Sequence, residues 1–179
     1  SGGIADQAVA AIENATLDIA AKALGVPVAA LFGGAVRDDI EVYFSHCGLY
    51  RVRWHEEMQL PRLSTIADLR AAGADAAERG FRGLKANVIL FDHDPLTVDV
   101  AGFGGEGDFP ALGASPERIR TIREQLIALA DGAAGRSAVA LDLNFNYRVD
   151  GVRKIARALS DLDLMWLELD GLTPAELRS

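Results

Sequence analysis

The fold is decided by residues 138–169, which read AVALDLNFNYRVDGVRKIARALSDLDLMWLEL. This stretch begins with an apolar run, Ala138 to Phe145, that predicts a buried strand. Apolar residues at helical spacing then predict a helix from Asp150 to Leu162, and Leu164 to Leu169 has the pattern of another strand. Two strands joined by a helical connection of this length run parallel in one sheet.

The same alternation extends toward the N-terminus. Thr65 and Asp68 form a capping box at the start of one helix, and Ser115 with Pro116 begins another. The final helix begins at Thr173, and the chain stops one turn later. A βαβαβαβ order predicts a parallel sheet that is either doubly wound or closed as a barrel. The remaining predicted elements are a helix over 6–24, a strand over 40–45, a helix over 65–80, a strand over 84–90 and a helix over 115–132.

Residues 91–114 interrupt this regular order because they show no periodicity. Loops of this length inside compact domains are usually functional, so we expect a lid or an oligomer-contact loop. Two weaker alternatives lie within it. Asp92-His93-Asp94 has metal-binding residue types, and Gly104-Gly105-Glu106-Gly107 has the glycine content of a phosphate-binding loop without its lysine.

The composition excludes several classes of protein. The 179 residues carry a net charge of -8, which disfavours binding to nucleic acid. No apolar run approaches the ~20 residues of a membrane span, and the single cysteine, Cys47, cannot form an internal disulfide. We therefore expect a cytoplasmic protein with a small-molecule ligand, no nucleic-acid or membrane partner, and a homo-oligomeric assembly.

Polar side chains fall at the ends of three predicted strands. Lys85 and Asn87 share one face of one strand, and Asp142 and Asn144 share one face of the next. Glu168 has the same position on the last strand. Carboxylates from neighbouring strands suit Mg²⁺, and a nearby lysine supplies a positive charge or a base. The alternative is that these groups form structural ion pairs.

Five segments carry a family resemblance. They are ATLDIAAKALGVP at 15–27, LFGG at 31–34, GFRGLK at 80–85, VALDLN at 139–144 and MWLE at 165–168. In this order they resemble the mandelate racemase and muconate lactonizing enzyme branch of the enolase superfamily. The 26-residue interval from Asp142 to Glu168 also fits that branch.

The resemblance implies a fold and a domain division. Residues 1–36 would be the last helix of an α+β capping domain and its linker. Residues 37–179 would be the first four or so βα units of a (β/α) TIM-type barrel, with 91–114 as an insertion. A third metal ligand and the catalytic base would then belong to strands beyond Ser179.

The resemblance also implies a chemistry. Asp142 and Glu168 would bind Mg²⁺, and Lys85 would contact the substrate carboxylate as a catalytic residue. The shared reaction is removal of the proton α to a carboxylate through an enediolate intermediate. The expected substrate-binding residues are Asn87, Asn144 and His46. An equal alternative is that the two asparagines satisfy nearby polar groups and that His46, just after the first strand, has a structural hydrogen-bonding role.

Three departures from the family pattern favour one outcome. Asn87 stands where a second lysine is often the base, Asn144 stands where some dehydratases carry a histidine, and Leu169-Asp170 replaces the usual Glu-Pro. A racemase with two bases is therefore disfavoured, and one-base chemistry with the base on a later strand is favoured. Dehydration of an acid sugar is the preferred reaction. A racemase or epimerase, a cycloisomerase, and a non-catalytic incomplete barrel are the alternatives.

Overall fold

The computed structural model describes residues 3–99 and 113–178, and the chain divides into two compact units after Ile40. The first unit contains helix α1 (Ile4–Leu24) and the short helix α2 (Val28–Leu31). α1 ends at Gly25, whose φ of 66° is left-handed and suits a residue without a Cβ atom. The helix predicted over 6–24 is therefore present, two residues longer at its start.

The second unit, residues 41–179, contains a sheet of four parallel strands, which in spatial order are Tyr43–Phe44, Gly83–Ala86, Ala138–Asp142 and Leu164–Glu168. The prediction of an α/β fold with a parallel sheet is confirmed. In chain order, the elements of this unit are β1 (Tyr43–Phe44), α3 (Tyr50–Arg53), α4 (Ile66–Glu78), β2 (Gly83–Ala86), β3 (Ile89–Leu90), β4 (Thr97–Val98), α5 (Pro116–Ala133), β5 (Ala138–Asp142), α6 (Val149–Ala158), β6 (Leu164–Glu168) and α7 (Pro174–Arg178).

The helices α4 and α5 pack closely through two glycines. A Cβ atom on Gly132 would lie 2.0 Å from the carbonyl oxygen of Arg70, and one on Gly73 would lie 2.7 Å from that of Leu129. The prediction that Gly132 ends its helix was wrong. α5 continues to Ala133 and is capped by Ala134 at a φ of 51°, so Gly132 serves helix packing instead.

The single strand predicted over 84–90 was also wrong. β2 ends at Ala86, and after Asn87 and Val88 the chain leaves the parallel sheet. β3 then pairs antiparallel with β4, while the Gln125 side chain bonds to both the N–H and the C=O of Ile89. β4 lies inside the 91–114 segment, so the predicted insertion contains a short strand. The glycine-rich motif at 104–107 lies outside the described residues.

A buried carboxylate holds the base of this segment. Asp99, 8% exposed, accepts hydrogen bonds from the Arg118 guanidinium at 2.9 Å and the Tyr147 hydroxyl at 2.7 Å. Its backbone carbonyl accepts from the Asn146 side chain, and burial beside this negative charge raises the pKa of Tyr147. Asp99 therefore connects the 91–114 segment to α5 and to the loop after β5.

Two further strands are shorter than predicted. The strand expected over 40–45 is only β1, and the one expected over 138–145 ends at Asp142. The Asp142 carboxylate accepts the backbone N–H of Asn144 at 2.8 Å, and Asn144 adopts a left-handed φ of 51°. This local turn ends the strand although apolar residues continue. Across the two described stretches of chain, no helix has the length and apolar character needed to cross a membrane.

Candidate active site

A register shift between β5 and β6 brings the two predicted metal ligands to the same side of the sheet. Val139 pairs with Leu164, whereas Asp142 pairs with Glu168, so β6 contains one extra residue between these points. Side chains alternate along a strand, so the unshifted register would place Glu168 opposite Leu143, on the other face from Asp142. The irregularity therefore brings the two carboxylates together.

Lys85 links these two carboxylates. Its Nζ atom lies 3.0 Å from Asp142 Oδ2 and 3.0 Å from each carboxylate oxygen of Glu168. The Lys85 and Asp142 side chains are 7% and 4% exposed, while that of Glu168 is 33% exposed. The three residues come from β2, β5 and β6, as the sequence predicted, and their side chains are in direct contact.

The electrostatic balance of this cluster favours a charged lysine. Burial acts to lower the pKa of Lys85, but hydrogen bonds and charges from Glu168 and Asp142 outweigh it, so the pKa is raised overall. Lys85 therefore carries a positive charge here, and a role as a neutral base is not favoured by this arrangement.

Asp170 is a third carboxylate that was not predicted as a site residue. Oxygen atoms of Asp142, Glu168 and Asp170 all lie within 4.8 Å of one another. Burial and the negative charges of Asp142 and Glu168 raise the pKa of Asp170. Its position two residues after Glu168 is the signal that identifies it, because residues i and i+2 of an extended chain share one face.

Two aromatic residues support the cluster. The indole N–H of Trp166 donates to Glu168 Oε2 at 3.2 Å, and the Trp166 ring packs edge-on against Tyr43 with centroids 5.1 Å apart. Lys85 Nζ lies 5.9 Å from the centre of the Tyr43 ring, within cation–π range. Tyr43, in β1, was predicted only as a strand residue, since its sequence context carries no motif.

His46 and Asn87 are in contact with each other beside the end of β2. His46 Nδ1 is 2.5 Å from Asn87 Oδ1, and Asn87 Nδ2 donates to the backbone carbonyl of Asp142 at 3.5 Å. Asn87 is 4% exposed, whereas His46 is half-buried and at a left-handed φ of 52°. The structure therefore joins two of the predicted substrate-binding residues to each other.

Asn144 is the third predicted substrate-binding residue, and it lies next to the cluster through its backbone. Its N–H donates to Asp142 Oδ1, and its carbonyl accepts the N–H of Asp170 at 3.3 Å. Asn144 therefore links the loop after β5 to the segment after β6, through bonds to the Asp142 carboxylate and the Asp170 backbone.

A cavity of about 570 Å³ opens beside Asp170, between the loop after β5 and the start of α7. Its volume lies within the ~300–1,000 Å³ range of small-molecule pockets. Both charged and apolar residues line it. Its lining is formed by Phe145, Tyr147, Arg148, Val149, Asp150, Asp170, Gly171, Leu172 and Glu176.

The fold agrees with that of solved enolase-superfamily structures, so the predicted resemblance is confirmed. A solved member of that superfamily from Salmonella Typhimurium has a TM-score of 0.66 and 20% identity, with 90% of this chain and 39% of that one covered. This similarity shows the fold, which identifies the four-stranded sheet as part of a TIM-type barrel. No family model matches the chain.

A more similar structure is that of a candidate L-alanine-DL-glutamate epimerase from Burkholderia xenovorans strain LB400, bound to magnesium and fumarate. It is 39% identical with a TM-score of 0.90, and the match covers 99% of this chain and 44% of that one.

Two curated relatives are named for sugar-acid dehydration. A D-galactonate dehydratase family member from Streptomyces bingchenggensis is 27% identical over 98% of this chain and 40% of its own length. The D-xylonate dehydratase of Haloferax volcanii is 29% identical over 90% of this chain and 34% of its own length. The chain therefore spans about two fifths or less of the length of these curated relatives.

Proposed function

We propose that the protein catalyses Mg²⁺-dependent removal of the proton α to a carboxylate, in the dehydration of an acid sugar. The observation that carries the proposal is the contact of Lys85 with Asp142 and Glu168 at the ends of three neighbouring strands. Sites of barrel enzymes lie at this end of the strands. The names of the sugar-acid dehydratase relatives support the choice of substrate class.

The donor set fits Mg²⁺. Asp142, Glu168 and Asp170 offer only oxygen atoms, which hard divalent cations prefer, and these atoms are close enough together to share one ion. Three carboxylates against one lysine leave the cluster short of positive charge. We propose Asp142 and Glu168 as ligands. When bound, Mg²⁺ supplies positive charge that stabilises the negative charge developing on the substrate carboxylate.

The remaining residues are assigned to the substrate. Lys85 provides the ammonium group that meets a substrate carboxylate, which makes it the proposed catalytic lysine. His46, Asn87 and Asn144 are the proposed substrate contacts, since all three border the cluster. Arg148, Asp150 and Glu176 around the adjoining cavity are able to hydrogen-bond a polyhydroxylated chain.

Epimerisation is the second candidate function, because the Burkholderia xenovorans protein is the more similar of the relatives described above. Epimerisation begins with the same proton removal and returns the proton to the opposite face. Asn87 stands in place of a second lysine, so a two-base epimerase would need another base on this side.

The proposal is tested with the full-length protein in D₂O, with D-galactonate, D-xylonate and L-alanyl-L-glutamate as probes. We expect Mg²⁺-dependent incorporation of deuterium at the α-carbon, followed by loss of water from a sugar acid. Asp142→Asn is expected to abolish both the exchange and Mg²⁺ binding by calorimetry, whereas Asp92→Asn, at an exposed aspartate, retains them. Absence of α-exchange with every probe would support a non-catalytic protein instead.

Three wider expectations complete the proposal. We infer that residues 1–36 are the end of a capping domain and residues 37–179 the N-terminal half of the barrel. The protein is expected to form a homo-oligomer in the cytoplasm. Size-exclusion chromatography with light scattering on the full-length protein tests the assembly.

A further inference from the structure

We propose that His46 is a general base for removal of the α-proton, held in its reactive tautomer by Asn87. This inference rests on the proposed function, because it assigns a group to the first step of that reaction. It concerns the side of the site where the sequence offers no second lysine.

The hydrogen bonds of Asn87 indicate the tautomer of His46. The carbonyl oxygen of Asp142 only accepts hydrogen bonds, so the Asn87 amide nitrogen faces it, at 3.5 Å. The Asn87 oxygen is then the atom that faces His46 Nδ1. Since that oxygen also only accepts, Nδ1 carries the proton. In the neutral imidazole, Nε2 at the other end of the ring then has the lone pair that can take up a proton.

A backbone hydrogen bond fixes the position of the His46 ring. The backbone N–H of Cys47 donates to the carbonyl of Lys85 at 2.9 Å, which places His46 beside the end of β2. Asn87 is two residues after Lys85, or about 7 Å further along an extended chain. The Lys85 side chain contacts the Asp142 carboxylate, and the Asn87 side chain contacts the Asp142 backbone carbonyl. His46 therefore lies beside the end of β2 and is connected to Asp142 through the single residue Asn87.

Aromatic packing supports the His46 ring. The His46 ring packs edge-on against Tyr50 at 5.4 Å, and Tyr50 packs against Trp54 at 5.7 Å. The left-handed φ of 52° is uncommon for a residue with a side chain. Such backbone conformations concentrate at functional sites, where the surrounding structure holds them. The hydrogen bond to Asn87 and the contact with Tyr50 fix both the rotation and the plane of the ring.

The proton transfer balances as follows. The Nε2 lone pair forms an N–H bond with the α-proton while the α C–H bond breaks. The electron pair of that bond passes into the substrate carboxylate, and the neutral imidazole becomes an imidazolium cation. Exchange of the imidazolium proton with D₂O and its return to the α-carbon label the substrate.

The test compares His46→Gly with His93→Gly in the full-length protein, using the three probes above. Glycine accepts a positive φ freely, so the substitution removes the ring with little backbone strain. The His93 side chain is exposed, and among the described contacts its ring bonds only its neighbour Asp92. We expect His46→Gly to lower the α-exchange rate by about 100-fold or more, the usual contribution of a general base. Added imidazole is expected to restore part of the rate, and Mg²⁺ affinity stays unchanged.

Several results would overturn the inference. If His46→Gly exchanges the α-proton as fast as the wild type, another group is the base and the proposed function survives alone. A lost rate that imidazole does not restore would give His46 a structural role. If the wild type exchanges no probe, the proposed function fails and this assignment fails with it.

A second measurement needs no turnover. Nitrogen-15 spectra of the imidazole are expected to show the neutral Nδ1–H tautomer in the wild type, and a shift toward Nε2–H in Asn87→Leu. Observation of the Nε2–H tautomer in the wild type contradicts the proposed support by Asn87.

Discussion

Lys85 donates to both carboxylate oxygens of Glu168 at equal distances of 3.0 Å, while it also touches Asp142. The Lys85 ammonium therefore lies in contact with both carboxylates, where a shared cation would also bind. A divalent cation that binds there competes with a positive charge already in contact with both proposed ligands.

The first prediction concerns this competition. Lys85→Met removes the ammonium and leaves the carboxylates without its charge, so we expect Mg²⁺ to bind at least about tenfold more tightly, given the strength of charge pairs at this distance. Isothermal titration calorimetry measures the affinity. Lys154→Met, on the exposed surface of α6, is the matched control and should leave it unchanged. Weaker binding by Lys85→Met would show that Lys85 organises the ligands instead.

Asp170 gives the second prediction. Its carboxylate lies within 4.8 Å of the proposed ligand atoms, so Asp170→Asn removes one negative charge from the cluster. We expect Mg²⁺ affinity to fall by about tenfold, which is the effect of one charge at about 5 Å in a partly solvated site. Asp163→Asn, just before β6 at its other end, serves as the control. Equal Mg²⁺ affinities for the two variants would show that the Asp170 carboxylate does not contribute to binding of the ion.

The third prediction tests the contact between α4 and α5. Gly132→Ala places a Cβ atom 2.0 Å from the Arg70 carbonyl oxygen, which forces the helices apart. Overpacking of this kind lowers the free energy of unfolding by about 3 kcal/mol. Gly135→Ala, where nothing lies within 4 Å, should cost only about 1 kcal/mol from its left-handed φ. Urea denaturation compares them, and equal costs would refute the close contact.

The fourth prediction is a pH dependence at the start of α4. The Asp68 carboxylate accepts the backbone N–H groups of Ser64 and Thr65, and these bonds hold the pKa of Asp68 below its ordinary value of 3.8. Because the folded pKa is the lower one, the stabilisation is fully present well above pH 3.8. It is lost as the pH falls from there through the folded pKa.

The measurement is the free energy of unfolding of the wild type and Asp68→Asn between pH 2 and pH 7. A lost cap of this type costs about 1 kcal/mol at neutral pH. We expect this difference to disappear below the folded pKa. Glu78→Gln, on the exposed end of the same helix, should change little at either pH. A difference that is constant with pH would assign the effect to shape rather than to charge.

The sequence predicted the parallel α/β fold because periodicity is a local property of each helix and strand. It could not predict where the strands end. β2 ends at Ala86 because residues 89–90 pair with β4, and a continuous apolar run carries no sign of that change of partner. Gly132 similarly resembles a helix end in sequence, whereas its role depends on a backbone from another helix.

The candidate site was predictable where strand alternation determines it. Lys85, Asp142 and Glu168 are in contact as expected for polar residues at neighbouring strand ends. The bond between His46 and Asn87 joins residues 41 positions apart, and no spacing rule connects them. Asp170 departs from a family motif in the sequence, but its position two residues after Glu168 is a signal that could have identified it beside the other carboxylates.

The extra residue in β6 has an evolutionary consequence. The site depends on the number of residues in β6. Glu168 is on the same face as Asp142 only because β6 has one more residue than β5 between the paired positions Val139–Leu164 and Asp142–Glu168. Any single substitution of the intervening Met165 preserves that number, whereas deletion of one residue reduces it and turns Glu168 to the opposite face. This strand should therefore tolerate changes in side chain far better than changes in length.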